Sequence, residues 1–232
     1  MGICSTWIKQ TGSANDSKHQ TRNAMNNKNG NGKPCELISW YGFQKLARTL
    51  AQKIRASDYR PDMIIGICRG GYMPARLLSD YFGLMDLADL KIEHYHAAHK
   101  QASAVIRYPL TADVSGRRVL LVDDVSDSGD TFATAMDHIL QSGEPAQLKT
   151  AVLHHKTTST FAPDYYASKI IKWRWLTYPW AVTEDIASFI ESEITLPASV
   201  EQIREQLLAH HGISVSPQQV QDALLMLDNQ SP

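Results

Sequence analysis

The sequence predicts an α/β fold built on a parallel sheet flanked by helices. Three observations lead there. Two apolar runs, Met63-Ile64-Ile65-Gly66-Ile67 and Val119-Leu120-Leu121-Val122, show no alternation and are rich in branched residues, as strands buried on both faces are. Each enters a tight turn, Cys68-Arg69-Gly70-Gly71 in one case and Asp123 to Thr131 in the other. Each turn then opens a helical pattern, from about Pro74 to Tyr81 and through Phe132, Met136, Ile139 and Leu140. Strand, turn and helix in that order, twice over, is the repeat of a parallel sheet.

The second turn carries the chemistry. Asp123 and Asp124 close its strand at the carboxyl edge of the sheet, where open α/β folds bind ligands. Val125 and Ser126 follow, then Asp127-Ser128-Gly129-Asp130-Thr131 at the start of a helix. Backbone N–H groups in such a turn make a natural phosphate cradle. An acid pair beside that cradle suits a ribose 5-phosphate, its two hydroxyls on the carboxylates. A capping Asp cluster and a receiver-type acid pair are the competing readings, and a receiver pair would not need the Ser-Gly-Asp-Thr turn. The absence of Gly-Lys-Ser/Thr and of Gly-x-Gly-x-x-Gly in the sequence argues against the common nucleotide loops.

At 232 residues the chain can bury one good core and a small appendage. A formal charge of −1 gives no electrostatic case for nucleic acid as a partner. Three cysteines (Cys4, Cys35, Cys68), odd in number and without Cys-x-x-Cys, suggest a reducing compartment. No apolar run has the length to cross a bilayer and no signal-peptide core is present, so no membrane partner is expected and the cytoplasm is the expected location.

Residues 1–34, rich in Asn, Ser, Thr, Lys and Gly, are expected to form a disordered tail. Met1-Gly2-Ile3-Cys4-Ser5-Thr6 also fits an N-myristoylation pattern, one permissive enough to arise by chance. The ordered domain is expected over residues 35–196. Its first helix, from Trp40 to Ala56, sets Phe43, Leu46, Ala47, Leu50 and Ile54 on one face. Leu90 to His96 alternates and predicts a third strand. His94, His96 and His99 suggest zinc, but no Cys or carboxylate stands at a convincing ligand spacing. Residues 97–104 are small and polar, a loop. Gln141 to Pro145 predicts a turn, and Lys149 to Lys156 a strand ending in a lysine. Trp173, Trp175, Tyr178 and Trp180 lie within eight residues, as core or an oligomer surface would. Residues 197–232 hold two short amphipathic helices, one with Val200, Ile203, Leu207 and Leu208, the other with Val220, Ala223, Leu224 and Leu227. Without a basic stripe they suit a packing appendage or dimer element better than a DNA reader.

The run Val119 to Thr131 closely resembles the phosphoribosyl-diphosphate (PRPP) signature of the type I phosphoribosyltransferases: four apolar residues, two acids, two variable residues, then a small-residue loop ending in Thr. The resemblance implies a parallel sheet flanked by helices with a small hood over the base. Arg69-Gly70-Gly71 stands where the family binds the pyrophosphate of PRPP through backbone amides, two glycines letting the backbone come close. Residues 97–104 stand where a mobile loop closes over the reaction centre. Lys156, by spacing alone an ordinary strand end, stands where members acting on 6-oxopurines carry a Lys that donates to O6. Trp175 to Trp180 is similar to the Trp-x-x-x-Pro-Trp segment of xanthine-guanine phosphoribosyltransferases. That similarity sets Trp175 over the purine face and the Leu176 carbonyl at its N1/C2 edge.

Together the motifs, spanning about Pro61 to Trp180, imply transfer of the 5-phosphoribosyl group of PRPP to a 6-oxopurine in purine salvage, with Mg²⁺ as cofactor. Asp123 and Asp124 would orient the ribose, with Asp124 the metal contact. Ser128, Gly129, Asp130 and Thr131 would hold the 5-phosphate, and Asp127 would be the general base beside N7. PRPP and a purine base are the implied partners, and a homo-oligomer is expected. The alternative on the same fold is a non-catalytic PRPP-sensing regulator, which would need neither Lys156 nor the aromatic segment. Two departures stand out. Gly129-Asp130 replaces a frequent Gly-Gly; a carboxylate aimed at a phosphate would repel it, so Asp130 is expected to turn outward and cap the next helix. Ala181 stands where some members have an Asp on a second metal, leaving Glu184 or Asp185 to substitute.

Overall fold

The structure, a computed structural model, describes residues 32–95 and 103–229. A short strand β1 (Cys35–Leu37) precedes α1 (Trp40–Ala56), which begins where the Ser39 hydroxyl accepts from the Gly42 N–H at 3.0 Å. Phe43, Ala47, Leu50 and Ile54 are buried as the periodicity predicts, joined by Ala51. The chain continues through β2 (Met63–Cys68), α2 (Tyr72–Phe82), β3 (Leu87–Tyr95), β4 (Ser103–Tyr108), β5 (Arg118–Ser126), α3 (Asp130–Ser142), β6 (Gln147–Lys156), β7 (Tyr165–Ile170) and β8 (Trp175–Thr177). Six of these strands form one sheet in the order β4-β3-β2-β5-β6-β7.

Burial on both faces explains the unalternating apolar runs. On one face Ile64, Leu120, Val122, Ala151 and Leu153 meet residues of α1 and α2. On the other, Ile65, Ile67, Val119, Leu121 and Val152 meet Phe132, Ala135 and Ile139 of α3. The chain leaves β2 towards β3 on one side and returns to β5 on the other, so the strand order reverses between β2 and β5. Helices α2 and α3 thus depart to opposite faces, and the turns after β2 and β5 stand side by side. That crevice is the usual ligand position in an open α/β sheet.

The expected parallel sheet is present, with one antiparallel edge strand. Strand β4 runs antiparallel to β3 at the edge, the other pairings of the six-stranded sheet being parallel. Ser103 and Ala104, expected in a loop, begin that strand; the rest of that loop, with His96 and His99, lies outside the described residues. Strand β7 is not legible in the sequence because Tyr165-Tyr166-Ala167-Ser168-Lys169-Ile170 is a half-buried edge without clean alternation.

By compactness the described chain divides into residues 37–180 and a second unit in which 181–229 join 32–36. In the second unit α4 (Val182–Glu193) and α5 (Val200–His211) both pack on α6 (Pro217–Asp228). Capping boxes at Ser199 and Ser216 start the last two helices, and left-handed Gly212 ends α5. The division falls after Trp180, whereas the sequence pattern has the appendage begin at 197. Helix α4, not foreseen, turns Ile186, Ala187, Phe189 and Ile190 inward. Lys33, inside the expected tail, offers its carbonyl to His211 Nδ1–H at 2.8 Å. Among the described residues no helix is long and apolar enough to cross a membrane.

Candidate active site

Strand β5 runs on to Ser126, so the acid pair lies within the strand's last turn of pleat rather than beyond it. Asp123 is buried and Asp124 partly exposed. The Asp124 N–H donates to Asp123 Oδ1 at 2.9 Å. Burial, followed by the neighbouring Asp124 charge, pushes the Asp123 carboxyl well above the usual carboxylate range, against the pull of that N–H. Gly70 of the other turn comes up against Asp124: a Cβ there would sit 2.7 Å from Asp124 Cγ. A Cβ on Gly71 would collide with the carbonyls of Ile67 and Val122. Both glycines are therefore fixed by close approach to β2 and β5, which joins the Arg69-Gly70-Gly71 turn to the acid pair. The Cys68–Arg69 peptide is cis.

Asp123, Asp124, Asp127, Ser128, Gly129 and Thr131 line one cavity of about 180 Å³. The strand-to-helix turn is held from behind by residues that no local sequence pattern selects. The Thr160 N–H and hydroxyl both donate to the Ser128 carbonyl, at 2.9 and 2.8 Å. Phe161 stacks on Phe132 with ring centres 4.9 Å apart and fills the space beside Gly129, whose φ of 106° suits only glycine. Gly129 occupies the helix N-cap without a side-chain bond. Asp130 is exposed, as expected, but it does not cap: its carboxylate accepts from the Ser128 hydroxyl at 3.0 Å. At the first turn of α3 that charge still favours the helix dipole.

His94 also lines the cavity, its Nε2 3.1 Å from Thr131 Oγ1. No group of three or more metal-ligating side chains occurs among the described residues, which include His94 but neither His96 nor His99. Glu184 and Asp185 belong to the first turn of α4, in the second unit.

Strand β6 delivers Lys156, 3 % exposed, whose ammonium meets Asp127 Oδ2 at 2.6 Å. The structure thus joins the expected base and the expected O6 donor as an ion pair. Leu176 is buried and Trp175 is 37 % exposed. It is Trp173, two residues earlier, whose indole N–H donates to Asp127 Oδ1 at 3.3 Å, its ring centre 4.6 Å from Lys156 Nζ. Behind them Tyr178 donates its hydroxyl proton to the Asp124 carbonyl at 2.9 Å and sits 2.8 Å from His154 Nδ1.

The arrangement is an acid pair and a strand-to-helix turn at a sheet switch point, with a paired carboxylate and ammonium beside them. Residues 36–185 match the family described as "Phosphoribosyl transferase domain". The chain belongs to that family. Its chemistry is therefore phosphoribosyl transfer, and the chain is a phosphoribosyltransferase. It is 26 % identical over 151 residues to the xanthine-guanine phosphoribosyltransferase of Cereibacter sphaeroides, covering 62 % of this chain and 84 % of that protein. The crystal structure of a purine phosphoribosyltransferase from Pyrococcus horikoshii superposes with a TM-score of 0.57 at 32 % identity, covering 63 % of this chain and 93 % of that one. The Helicobacter pylori xanthine-guanine-hypoxanthine phosphoribosyltransferase shares the fold, with TM-score 0.57 and 21 % identity over 65 % of this chain and 96 % of its own.

Proposed function

We propose that this phosphoribosyltransferase moves the 5-phosphoribosyl group of PRPP to a ring nitrogen of a 6-oxopurine and releases pyrophosphate. The observation that carries the substrate class is the Lys156–Asp127 pair at 2.6 Å. An ammonium has three donor protons, so Lys156 can keep Asp127 and still donate to a carbonyl oxygen such as O6. A carboxylate beside it accepts a ring N–H, and only a base with both features in reach uses the two together. The similarities to enzymes named for xanthine-guanine and for purine support the same class.

In this reading the turn amides and hydroxyls from Ser128 to Thr131 bind the 5-phosphate, and the Arg69-Gly70-Gly71 backbone binds pyrophosphate. Asp123 and Asp124 hold the ribose hydroxyls. The bond from C1′ to pyrophosphate oxygen breaks with its electrons on the oxygen, the ring nitrogen bonds to C1′, and Asp127 takes or shares the purine proton at N7. Mg²⁺ fits this donor set. Two adjacent carboxylates suit an ion completed by substrate oxygens and water, and a nearby cation would relieve the unfavourable charge on Asp123. Asp124 would hold it, and when bound it would neutralise pyrophosphate charge.

The test is pyrophosphate release from PRPP and Mg²⁺ with hypoxanthine, guanine, xanthine, adenine and orotate in turn. Turnover with one or more of the first three, well above adenine and orotate, is expected. Turnover confined to adenine or orotate would overturn the 6-oxopurine assignment.

A further inference from the structure

We propose that Trp173 is a positioning residue for Asp127, holding the carboxylate in the orientation from which it meets the purine proton. The inference rests on the reading of Asp127 as the base. Two contacts of one side chain carry it. The indole N–H donates to Asp127 Oδ1 at 3.3 Å, and the indole face lies 4.6 Å from the Lys156 ammonium, which itself holds Asp127 Oδ2 at 2.6 Å. Trp173 thus touches both members of the pair from one position.

The division of labour follows from the chemistry of the groups. An aspartate carboxylate turns about a broad, roughly two-fold torsion, and a bond to one oxygen alone leaves it free to swing. Lys156 binds only Oδ2 here, and an ammonium is a rotatable point donor that fixes no plane. A second donor on Oδ1 fixes the plane. Indole nitrogen is a donor only, so Trp173 cannot itself accept the purine proton; it can only hold the group that does. Its ring, over the ammonium, also keeps Lys156 from drifting while the other donors of that ammonium face the base. Asp127 is 43 % exposed and Trp173 37 %, so the pair is open enough for a ligand to approach and too open to be held by packing alone.

Trp173→Phe separates the two contacts, because it keeps an aromatic face over Lys156 and removes the N–H. The test is a cycle of four proteins: the natural chain, Trp173→Phe, Asp127→Asn and the double variant. Each is assayed by single-turnover kinetics with the purine that turns over, together with Mg²⁺-dependent PRPP affinity and the melting midpoint. Asp127→Asn alone is expected to cut the chemical rate by about 10²–10⁴-fold, the usual reach of one general base. Trp173→Phe alone is expected to cut it by about tenfold, the scale of one hydrogen bond to a charged group, with PRPP affinity and melting midpoint unchanged. In the Asp127→Asn background the same change should alter the rate by less than about twofold, because a residue acting through Asp127 has nothing left to act on. A natural rate in Trp173→Phe, or equal losses in both backgrounds, overturns the positioning role. A natural rate in Asp127→Asn overturns the base reading and the inference with it, and that result is distinct from either of the former.

Discussion

At Asp123, burial and the neighbouring Asp124 charge both oppose ionisation, so the folded carboxyl titrates above its unfolded counterpart. A group raised in this way supports the fold below the unfolded carboxylate range and loses that support as pH rises through its folded pKa. At neutral pH the folded protein therefore carries an unfavourable group, at the place where the proposed reaction would bring ribose and a cation. Asp123→Asn removes the titration and keeps an oxygen for the Asp124 N–H, now 2.9 Å from Oδ1. The variant is expected to melt higher at pH 7.5, with a smaller gain at pH 5. Its turnover should fall at least about 10²-fold, as misplacement of a bound reactant does. Calorimetry at the two pH values and the pyrophosphate assay check both halves; a lower melting midpoint at pH 7.5 would contradict the charge argument.

Three strands meet in the buried network behind the site: His154 on β6, Asp124 on β5, and Tyr178 just past β8. Tyr178 has one proton and gives it to the Asp124 carbonyl, so His154 must donate from Nδ1 to the Tyr178 oxygen. Burial, then the charges of Arg174 and Lys156, push the imidazole down to about 4. A depressed folded pKa leaves stability complete above the unfolded value of 6.5 and removes it as pH falls towards 4, where the loss levels off. Between pH 7 and pH 5 this one site should cost about 2 kcal/mol. His154→Gln keeps a donor for Tyr178 and cannot titrate, so its denaturant midpoint should shift less over that interval than that of the natural chain. Equal shifts would show that the pH sensitivity lies elsewhere. The network also marks what sequence can disclose. Val119 to Thr131 is legible because strand, acids and turn are contiguous and each residue type has a local reason. The parts played by Trp173, Tyr178 and Phe161 are not, because strand order, and no local pattern, brings them to β5. Lys156 is visible as a strand end, yet its partner Asp127 stands 29 positions away and only the parallel β5–β6 pairing joins them. Asp130 reads as a cap in the sequence and is not one, because Gly129 takes the N-cap position and Asp130 becomes the first helical residue, its carboxylate accepting from the Ser128 hydroxyl.

For the molecule as a whole, the residues of the candidate site all lie in the 37–180 unit, while the start of the described chain belongs to the other. Composition sets the tail at 1–34, and composition cannot register a single backbone carbonyl. His211, 2 % exposed, is stacked on Phe189 with ring centres 4.1 Å apart; its Nδ1–H reaches the Lys33 carbonyl and its Nε2 lies 3.1 Å from Glu193. Gly32 lies so near the His210 backbone that a Cβ would meet its carbonyl oxygen at 2.6 Å. Two shortened chains separate the tail from this contact. One beginning at Gly32 keeps the Lys33 carbonyl, and its turnover and melting midpoint should match the full chain. One beginning at Cys35 leaves the buried Nδ1–H without its acceptor, a loss of about 1–3 kcal/mol. At about 2–4 °C per kcal/mol, that is a fall of several degrees, with turnover at low temperature retained. Thermal melts of the three chains side by side decide the matter. Equal midpoints for all three would show that the Lys33–His211 contact contributes nothing, and a fall already present in the chain beginning at Gly32 would assign a stabilising role to residues before it.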